Sequence, residues 1–539
     1  MDFDYVIVGG GSAGCALAAR LSEDPGVRVA LVEAGDDNAR VLNRVPTGAA
    51  VHIVNRNRCN WAFESVPQAG FNGRRSYQPR GRGLGGSSVI NAMIYLRGQP
   101  QDYDAWAAAG ATGWGWNDVL PWFKRGENNE RGADAWHGSG GPLNVMDLRS
   151  PNPFGPVFIE AAQQAGFSFN PDFNGATQEG VGPYQVTQKA GERWSAARAY
   201  LEAAGRRHNL AVFTHTLARR IVFEGQRAVG IEADRSGEPL MLRASCEVIL
   251  AAGALQSPQL LMASGVGPAA HLAEHGIAVV ADLPVGENLQ DHLDIIINRR
   301  ANSNELLGLS LPSGLKLARG VAQWRHSRDG VLTSNFAEAG GFVKTRPELD
   351  RPDLQLHFVI GMVDNHNRTW HWGNGMSCHT CALRPYSRGT VRLASSDTRD
   401  APAIDPRFLS DERDLEVLLA GFKLTRRIFS QPAFAGVSGA DRSREIYFSQ
   451  LETDDEIRAA IRAHADTIYH PVGTCRMGSG NAAVVDPQLR VRGVAGLRVA
   501  DCSIMPTLIS GNTNAPAMMI GERAADFIRS ARALGRRAT

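Results

Sequence analysis

The chain runs to 539 residues, 43% of them hydrophobic, with 58 glycines and a formal net charge of +2. That length supports at least two domains with substantial cores, and the near-neutral balance gives no electrostatic basis for binding nucleic acid or an acidic partner. Seven scattered cysteines argue against a disulfide framework, and no apolar run of about 18 residues marks a membrane span. The first strand begins almost at once, without a basic and apolar leader. The expected location is the cytoplasm, with peripheral membrane contact left open.

Tyr5-Val6-Ile7-Val8 reads as a buried strand, Gly9-Gly10-Gly11-Ser12-Ala13-Gly14 as a glycine turn, and Ala16 to Leu21 as the following helix. In that setting GxGxxG is a dinucleotide fingerprint rather than a bare turn. Gly9 permits the tight turn, Gly11 lets the backbone approach a pyrophosphate, and Gly14 lets helix and strand pack closely. A second strand, Val29 to Val32, ends in Glu33, whose carboxylate suits both hydroxyls of an adenosine ribose.

A second cluster, Gly81-Arg82-Gly83-Leu84-Gly85-Gly86-Ser87-Ser88, leads into Val89 to Met93. It describes either backbone approaching a flat or anionic ligand or a glycine loop before a buried helix. Trp114 to Phe123 reads as a turn and helix, and Asp134 to Gly141 as a mobile glycine stretch around His137. Strands are expected at Leu210 to Phe213, Val229 to Glu232 and Val248 to Ala252, the last turning at Gly253 into a short helix. Leu354 to Ile360 and Thr390 to Leu393 alternate as sheet strands, and Asp411 to Arg427 has helical spacing. Asn367 to Trp372 reads as an entrance lip or as plain surface. Cys378-His379-Thr380-Cys381 has no second CxxC to complete a zinc set, so a structural reading is preferred and no metal is expected. His470-Pro471 sits in a proline- and glycine-shaped loop, and Asp501 ends a strand ahead of Ser510 to Glu522.

The opening fingerprint, the cluster from Gly81 to Asn91, the stretch from Gly253 to Gly267 and the C-terminal blocks together resemble the glucose–methanol–choline oxidoreductases. These are flavoproteins that bind FAD and oxidise alcohols, and the resemblance spans essentially the whole chain. It implies an α/β fold (α+β overall). A Rossmann-like FAD-binding domain, discontinuous in sequence, would take 1–150, 190–300 and 446–539. A substrate-binding domain with an antiparallel sheet and helices would take 151–189 and 301–445.

The resemblance puts Gly9, Gly11, Ser12, Ala13, Gly14, Glu33, Ala34 and Ala218 at the nucleotide half of the cofactor. Arg82, Gly85, Gly86 and Ser87 would run along pyrophosphate and isoalloxazine, with Asn91, Ala92 and Met93 near the reactive face of the ring. Gly253, Asp501, Cys502, Asn512 and Thr513 complete the set, the closing helix aiming its N-terminal dipole at the flavin. Ile90 stands where some members carry a histidine that bonds the flavin, which implies non-covalent FAD. His292 is implied to hold a loop against the flavin domain, and the segment around His137 to form a lid.

His470 is the implied catalytic base, taking the hydroxyl proton while hydride passes to flavin N5. Asn512, an amide where other members have a second histidine, would hold the substrate oxygen but cannot act as base. The implied activity is an FAD-dependent alcohol dehydrogenase converting a primary alcohol to the aldehyde. Its electrons would go to a quinone, an electron-transfer protein or another acceptor. The alternatives are an oxidase forming hydrogen peroxide from oxygen, a hydroxynitrile-lyase-like enzyme and a non-enzymatic flavoprotein. Within the family the chain resembles the choline-dehydrogenase-like alcohol dehydrogenases, yet no aromatic and carboxylate cage for choline is evident. The oligomeric state is left open.

Overall fold

The computed structural model describes residues 1–436 and 444–538 and organises them around two large sheets. The central strand of the first, Asp2–Val8, pairs in parallel with Val29–Val32 on one side and with Glu238–Leu250 on the other. Leu210–Phe213 extends the sheet beyond Val29–Val32, and Leu497–Val499 pairs with the end of Glu238–Leu250, both in parallel. All four residues of Val29–Val32 are buried. Parallel strands covered on both faces need apolar side chains at every position, which explains continuous runs instead of alternation. The first half of Glu238–Leu250 also serves an antiparallel meander with Arg227–Arg235 and Thr216–Glu224. Ser12–Leu21 packs along the closing helix Asn514–Ala538.

The second sheet is antiparallel, in the order Asp466–Thr467, Leu293–Arg300, Gly373–Ala382, Leu354–Val359, Ala337–Val343, Gly180–Pro183. Leu354–Val359 shows how its two faces divide. Leu354, Leu356 and Phe358 enter an apolar core with Phe158 and Phe422 from the helices Phe154–Gln164 and Glu412–Phe429. Gln355, His357 and Val359 leave the opposite face, toward the first sheet.

Two expected boundaries move. Leu293–Arg300, expected in the cofactor segment ending at 300, pairs inside the second sheet, because Ile295 and Ile297 join that sheet's core. Asp466–Thr467, expected with 446–539, pairs with the same strand. The segment around His137 is no loose lid. His137 is buried, with Nδ1 3.0 Å from Glu127 and Nε2 2.9 Å from Asp172. Cys378 and Cys381 are buried and free, and three residues apart on one strand they leave opposite faces. Among the described residues no cluster of His, Cys, Asp or Glu is placed to hold a metal ion. Among them, too, no helix is long and apolar enough to cross a membrane.

Candidate active site

A cavity of about 710 Å³ runs between the two sheets, from the Gly9 turn to the loop that carries Trp370. The glycines at its inner end fall into two kinds. Gly9, at φ +107°, would place a Cβ 2.4 Å from Ala251 O, and Gly14 would place one 1.9 Å from Gly9 O, so neither position has room for a side chain. Around Gly11 the space is open, the nearest atom to an added Cβ being Ala251 O at 3.9 Å, and Gly253, at φ +84°, also faces open space. Bare backbone at the start of Ser12–Leu21 leaves N–H groups free to receive a phosphate.

Glu33 is held by backbone donors: Oε2 accepts from Gly10 N (2.9 Å), and Oε1 accepts from Gly35 N (2.8 Å) and Gly83 N (2.9 Å). A carboxylate oxygen has two acceptor positions, so Oε2 keeps one for a ribose hydroxyl. Arg193 lies fully buried behind the second cluster. Its guanidinium donates only to neutral oxygens, those of Ser88 (3.1 Å), Asn91 (2.8 Å) and Pro46 (3.3 Å), and burial pulls its pKa down to about 9. A buried cation without a carboxylate is costly, and an anionic group in the adjoining cavity would relieve it. These features fit an FAD pyrophosphate and ribose.

Ser12, Ala13, Ala34, Gly86, Ser87, Asn91, Ala92, Met93, Ala218, Asp501, Cys502, Asn512 and Thr513 all line the cavity, together with Gly9, Gly11, Glu33, Gly253 and His470. Gly14, Arg82 and Gly85 stand behind its wall. Arg82, expected along the pyrophosphate, instead lays its guanidinium 4.8 Å from the centre of the Trp61 ring. Gly85 donates to Gly10 O at 2.7 Å and so ties the two glycine clusters together. Asp501 accepts from Gly253 N (2.9 Å), Ser257 Oγ (2.5 Å) and Ser503 N (2.8 Å), bracing the second turn.

At the other end, hydrogen bonds assign the protonation of His470. His292 Nε2 lies 3.0 Å from Leu383 O, and a carbonyl only accepts, so Nε2 carries the proton. Burial holds His292 neutral, its pKa pulled down to about 4, which leaves Nδ1 as an acceptor. That atom faces His470 Nδ1 at 3.0 Å, so His470 donates there and keeps a lone pair on Nε2. On the Nε2 side, Gln355 Nε2 donates to Asn512 Oδ1 at 3.0 Å, turning the Asn512 Nδ2 toward His470 Nε2 at 3.2 Å. Burial, with His292, His357 and Arg80 nearby, holds the His470 pKa well below its ordinary value. The result is a neutral imidazole whose unprotonated Nε2, accepting from Asn512 Nδ2, faces the cavity.

Beyond His470 the wall mixes apolar Phe336, Ala337, Val359, Met362 and Ile468 with polar His357, His366, Asn367, His371, His379 and Tyr469. Glu33 and Asp501, both at the cofactor end, are the only acidic side chains among the described lining residues. Asp294 lies behind His379 and is hydrogen-bonded to its Nδ1. Neither ring nitrogen of His357 meets a hydrogen-bond partner of good geometry.

Sequence reasoning missed Arg80, His357 and His379, which line the cavity, and underrated His292. His357 and His379 sit on strands, where a period of two puts them on the inner face beside Val359 and Ser377. Arg80 immediately precedes the second glycine cluster, which was a usable signal.

A glycine-walled slot at a helix N-terminus, joined to a buried neutral imidazole, defines a dinucleotide-dependent redox enzyme. Models of the GMC oxidoreductase family match residues 3–294 and 385–521. The chain is 50% identical over 534 residues to an "Alcohol dehydrogenase [acceptor]" of Pseudomonas putida, covering 98% of this chain and 95% of the relative. It is 43% identical to the mitochondrial choline dehydrogenase of Homo sapiens, covering 99% and 91%. The crystal structure of pyridoxine 4-oxidase from Mesorbium loti superposes with a TM-score of 0.88 at 33% identity, covering 98% of this chain and 99% of that one. The chain is an FAD-dependent oxidoreductase acting on CH–OH groups. It belongs to the GMC oxidoreductase family.

Proposed function

We propose that the protein is a dehydrogenase of uncharged primary alcohols, with His470 as the base and with FAD held non-covalently. The observation that carries this is the hydrogen-bonded series from Leu383 through His292 to His470, which leaves Nε2 unprotonated at the cavity. Bound FAD supplies the hydride acceptor. His470 Nε2 takes the hydroxyl proton, and the new Nε2–H is charged while His292 Nδ1 accepts from the opposite edge of the ring. The Asn512 amide, fixed by Gln355, donates to the oxygen on which negative charge develops. Gly9, Gly11, Gly86 and Gly253 admit the dinucleotide, while Glu33 holds its ribose. Ile90, unlike a histidine, offers no nucleophile for a covalent link to the ring.

The absence of a carboxylate among the described lining residues beyond His470 favours an uncharged substrate over a quaternary ammonium. A quinone is the proposed electron acceptor, in line with the name "Alcohol dehydrogenase [acceptor]" of the Pseudomonas putida relative, which leaves the acceptor's identity open. Steady-state turnover with straight-chain primary alcohols and with choline, each with a soluble quinone, tests the reading. The expected preference for the alcohols in kcat/KM is about 10³-fold, because a cation that no lining carboxylate pairs costs several kcal/mol. Equal turnover of choline would refute the substrate class. Peroxide formed in air in step with aldehyde would make the enzyme an oxidase.

A further inference from the structure

The cavity has a polar corner that the proposed reaction does not use. Tyr469, next in the chain to the base, lines it together with His366 and His379. The backbone is strained at two of the three. Tyr469 sits at φ +76°, and Asn365, His366 and Asn367 follow one another at +45°, +56° and +64°. A bulky residue at positive φ is uncommon, and such strain persists where the surrounding structure imposes it, often at a binding site. Here it brings two side chains together on the cavity wall, with His366 Nδ1 2.8 Å from Tyr469 Oη.

Hydrogen bonds fix what this corner offers a ligand. His366 Nε2 lies 3.2 Å from Asp466 Oδ2. Burial raises the Asp466 pKa, but His366, Arg74 and Ser76 outweigh it and hold the group below its ordinary value, as a carboxylate that only accepts. His366 therefore carries its proton on Nε2, the Tyr469 hydroxyl donates to Nδ1, and the phenolic oxygen keeps its lone pairs. Burial, with Asp294 and Asp466 nearby, holds the Tyr469 pKa well above its ordinary value, so the phenol stays protonated. His379 donates from Nδ1 to Asp294, which leaves Nε2 of the neutral ring as a second acceptor, on a side chain 12% exposed. Tyr469 Oη and His379 Nε2 thus call for a donor. An ether or a carboxylate supplies none. An ammonium does, but neither Asp294 nor Asp466 reaches the lining to pair its charge.

We infer that this corner binds a second hydroxyl of the substrate, so that the alcohols the enzyme prefers are diols or longer polyols. The inference rests on the primary-alcohol reading: one hydroxyl meets His470 and Asn512 while the other donates to Tyr469 Oη or His379 Nε2.

The test compares straight-chain α,ω-diols with 1-alkanols and with diol monomethyl ethers of matched length, in anaerobic reduction of the FAD-loaded full chain. The ether keeps the second oxygen and lacks the proton it would donate. Diols are expected to reach half-maximal bleaching at about tenfold lower concentration than either, well beyond the factor of about two from their equivalent ends. Tyr469→Phe removes only the phenolic oxygen, and the double variant His379→Leu, Asp294→Leu strands no carboxylate. In each the diol preference should fall about threefold or more. Equal half-saturation of wild type by diols and matched alkanols, or by diols and ethers, would overturn the inference and leave the primary-alcohol reading in place; this comparison decides even if a variant does not fold. A preference undiminished in both folded variants would also overturn it. If no series bleaches the flavin, the primary-alcohol reading fails instead. Titration of the oxidised flavin spectrum then decides the corner: tighter binding of diols than of ethers supports it, and equal or absent binding overturns it.

Discussion

At the scale of single residues, the proposed reaction turns on which nitrogen of His470 carries the proton. His470→Ala removes the base, and flavin reduction by alcohol should slow by about 10²–10⁴-fold while FAD content is unchanged. His292 lies outside the cavity lining, and in the proposed reaction it is a positioning residue. His292→Phe removes the acceptor that fixes the His470 tautomer, and kcat should fall by about 10²-fold with KM little changed. Because burial depresses the His470 pKa, the base stays neutral below pH 6.5, and the acid limb of kcat/KM should lie below that value. In His292→Phe the limb should shift, which a merely structural defect would not produce; an unchanged profile would argue against the tautomer assignment. His470 was legible in the sequence only through its family-like loop. His292 was read as a loop anchor, because the contact that gives it a role joins residues 178 positions apart.

At the scale of elements, the opening strand, turn and helix formed as their sequence pattern indicated, and the turn separates folding from binding. Gly14→Ala would drive a Cβ to 1.9 Å from Gly9 O, a backbone atom, and should prevent stable folding. Gly11→Ala meets nothing closer than 3.9 Å and should keep the melting temperature of the FAD-free wild type while losing FAD on gel filtration. Loss of fold in Gly11→Ala, or full flavin content in it, would contradict the pyrophosphate assignment. Glu33→Ala strands the buried donors of Gly10, Gly35 and Gly83 and should cost about 3 kcal/mol in urea unfolding, besides its effect on ribose binding. The strands Leu210–Phe213 and Leu354–Val359 were readable from periodicity. The place of Leu293–Arg300 was not, because an apolar strand fits either sheet and its partner, Gly373–Ala382, lies some seventy residues on.

Over the whole molecule, buried imidazoles tie stability to pH in two directions. His292 and His52 are held neutral with pKa values near 4, and His357 near 3, burial being the main cause in each. Unfolding lets them take protons at about 6.5, so stability should fall as pH drops below that value. His137 runs the other way. Burial alone would lower its pKa, but Asp172 and Glu127 raise it to about 9, so its contribution is full below about 6.5 and is lost as pH rises through 9. Urea unfolding across this range should show stability declining on both sides, and His137→Asn should flatten the alkaline decline. An alkaline decline unaltered in that variant would assign it elsewhere.

The most direct test of the whole account is anaerobic mixing of the FAD-loaded protein with a straight-chain primary alcohol, followed by flavin absorbance, in wild type and His470→Ala. The expected result is rapid bleaching in wild type and bleaching about 10²–10⁴-fold slower in the variant, with choline ineffective in both. Equal rates in the two proteins, or bleaching by choline and not by the alcohol, would contradict a neutral His470 acting as base on an uncharged substrate.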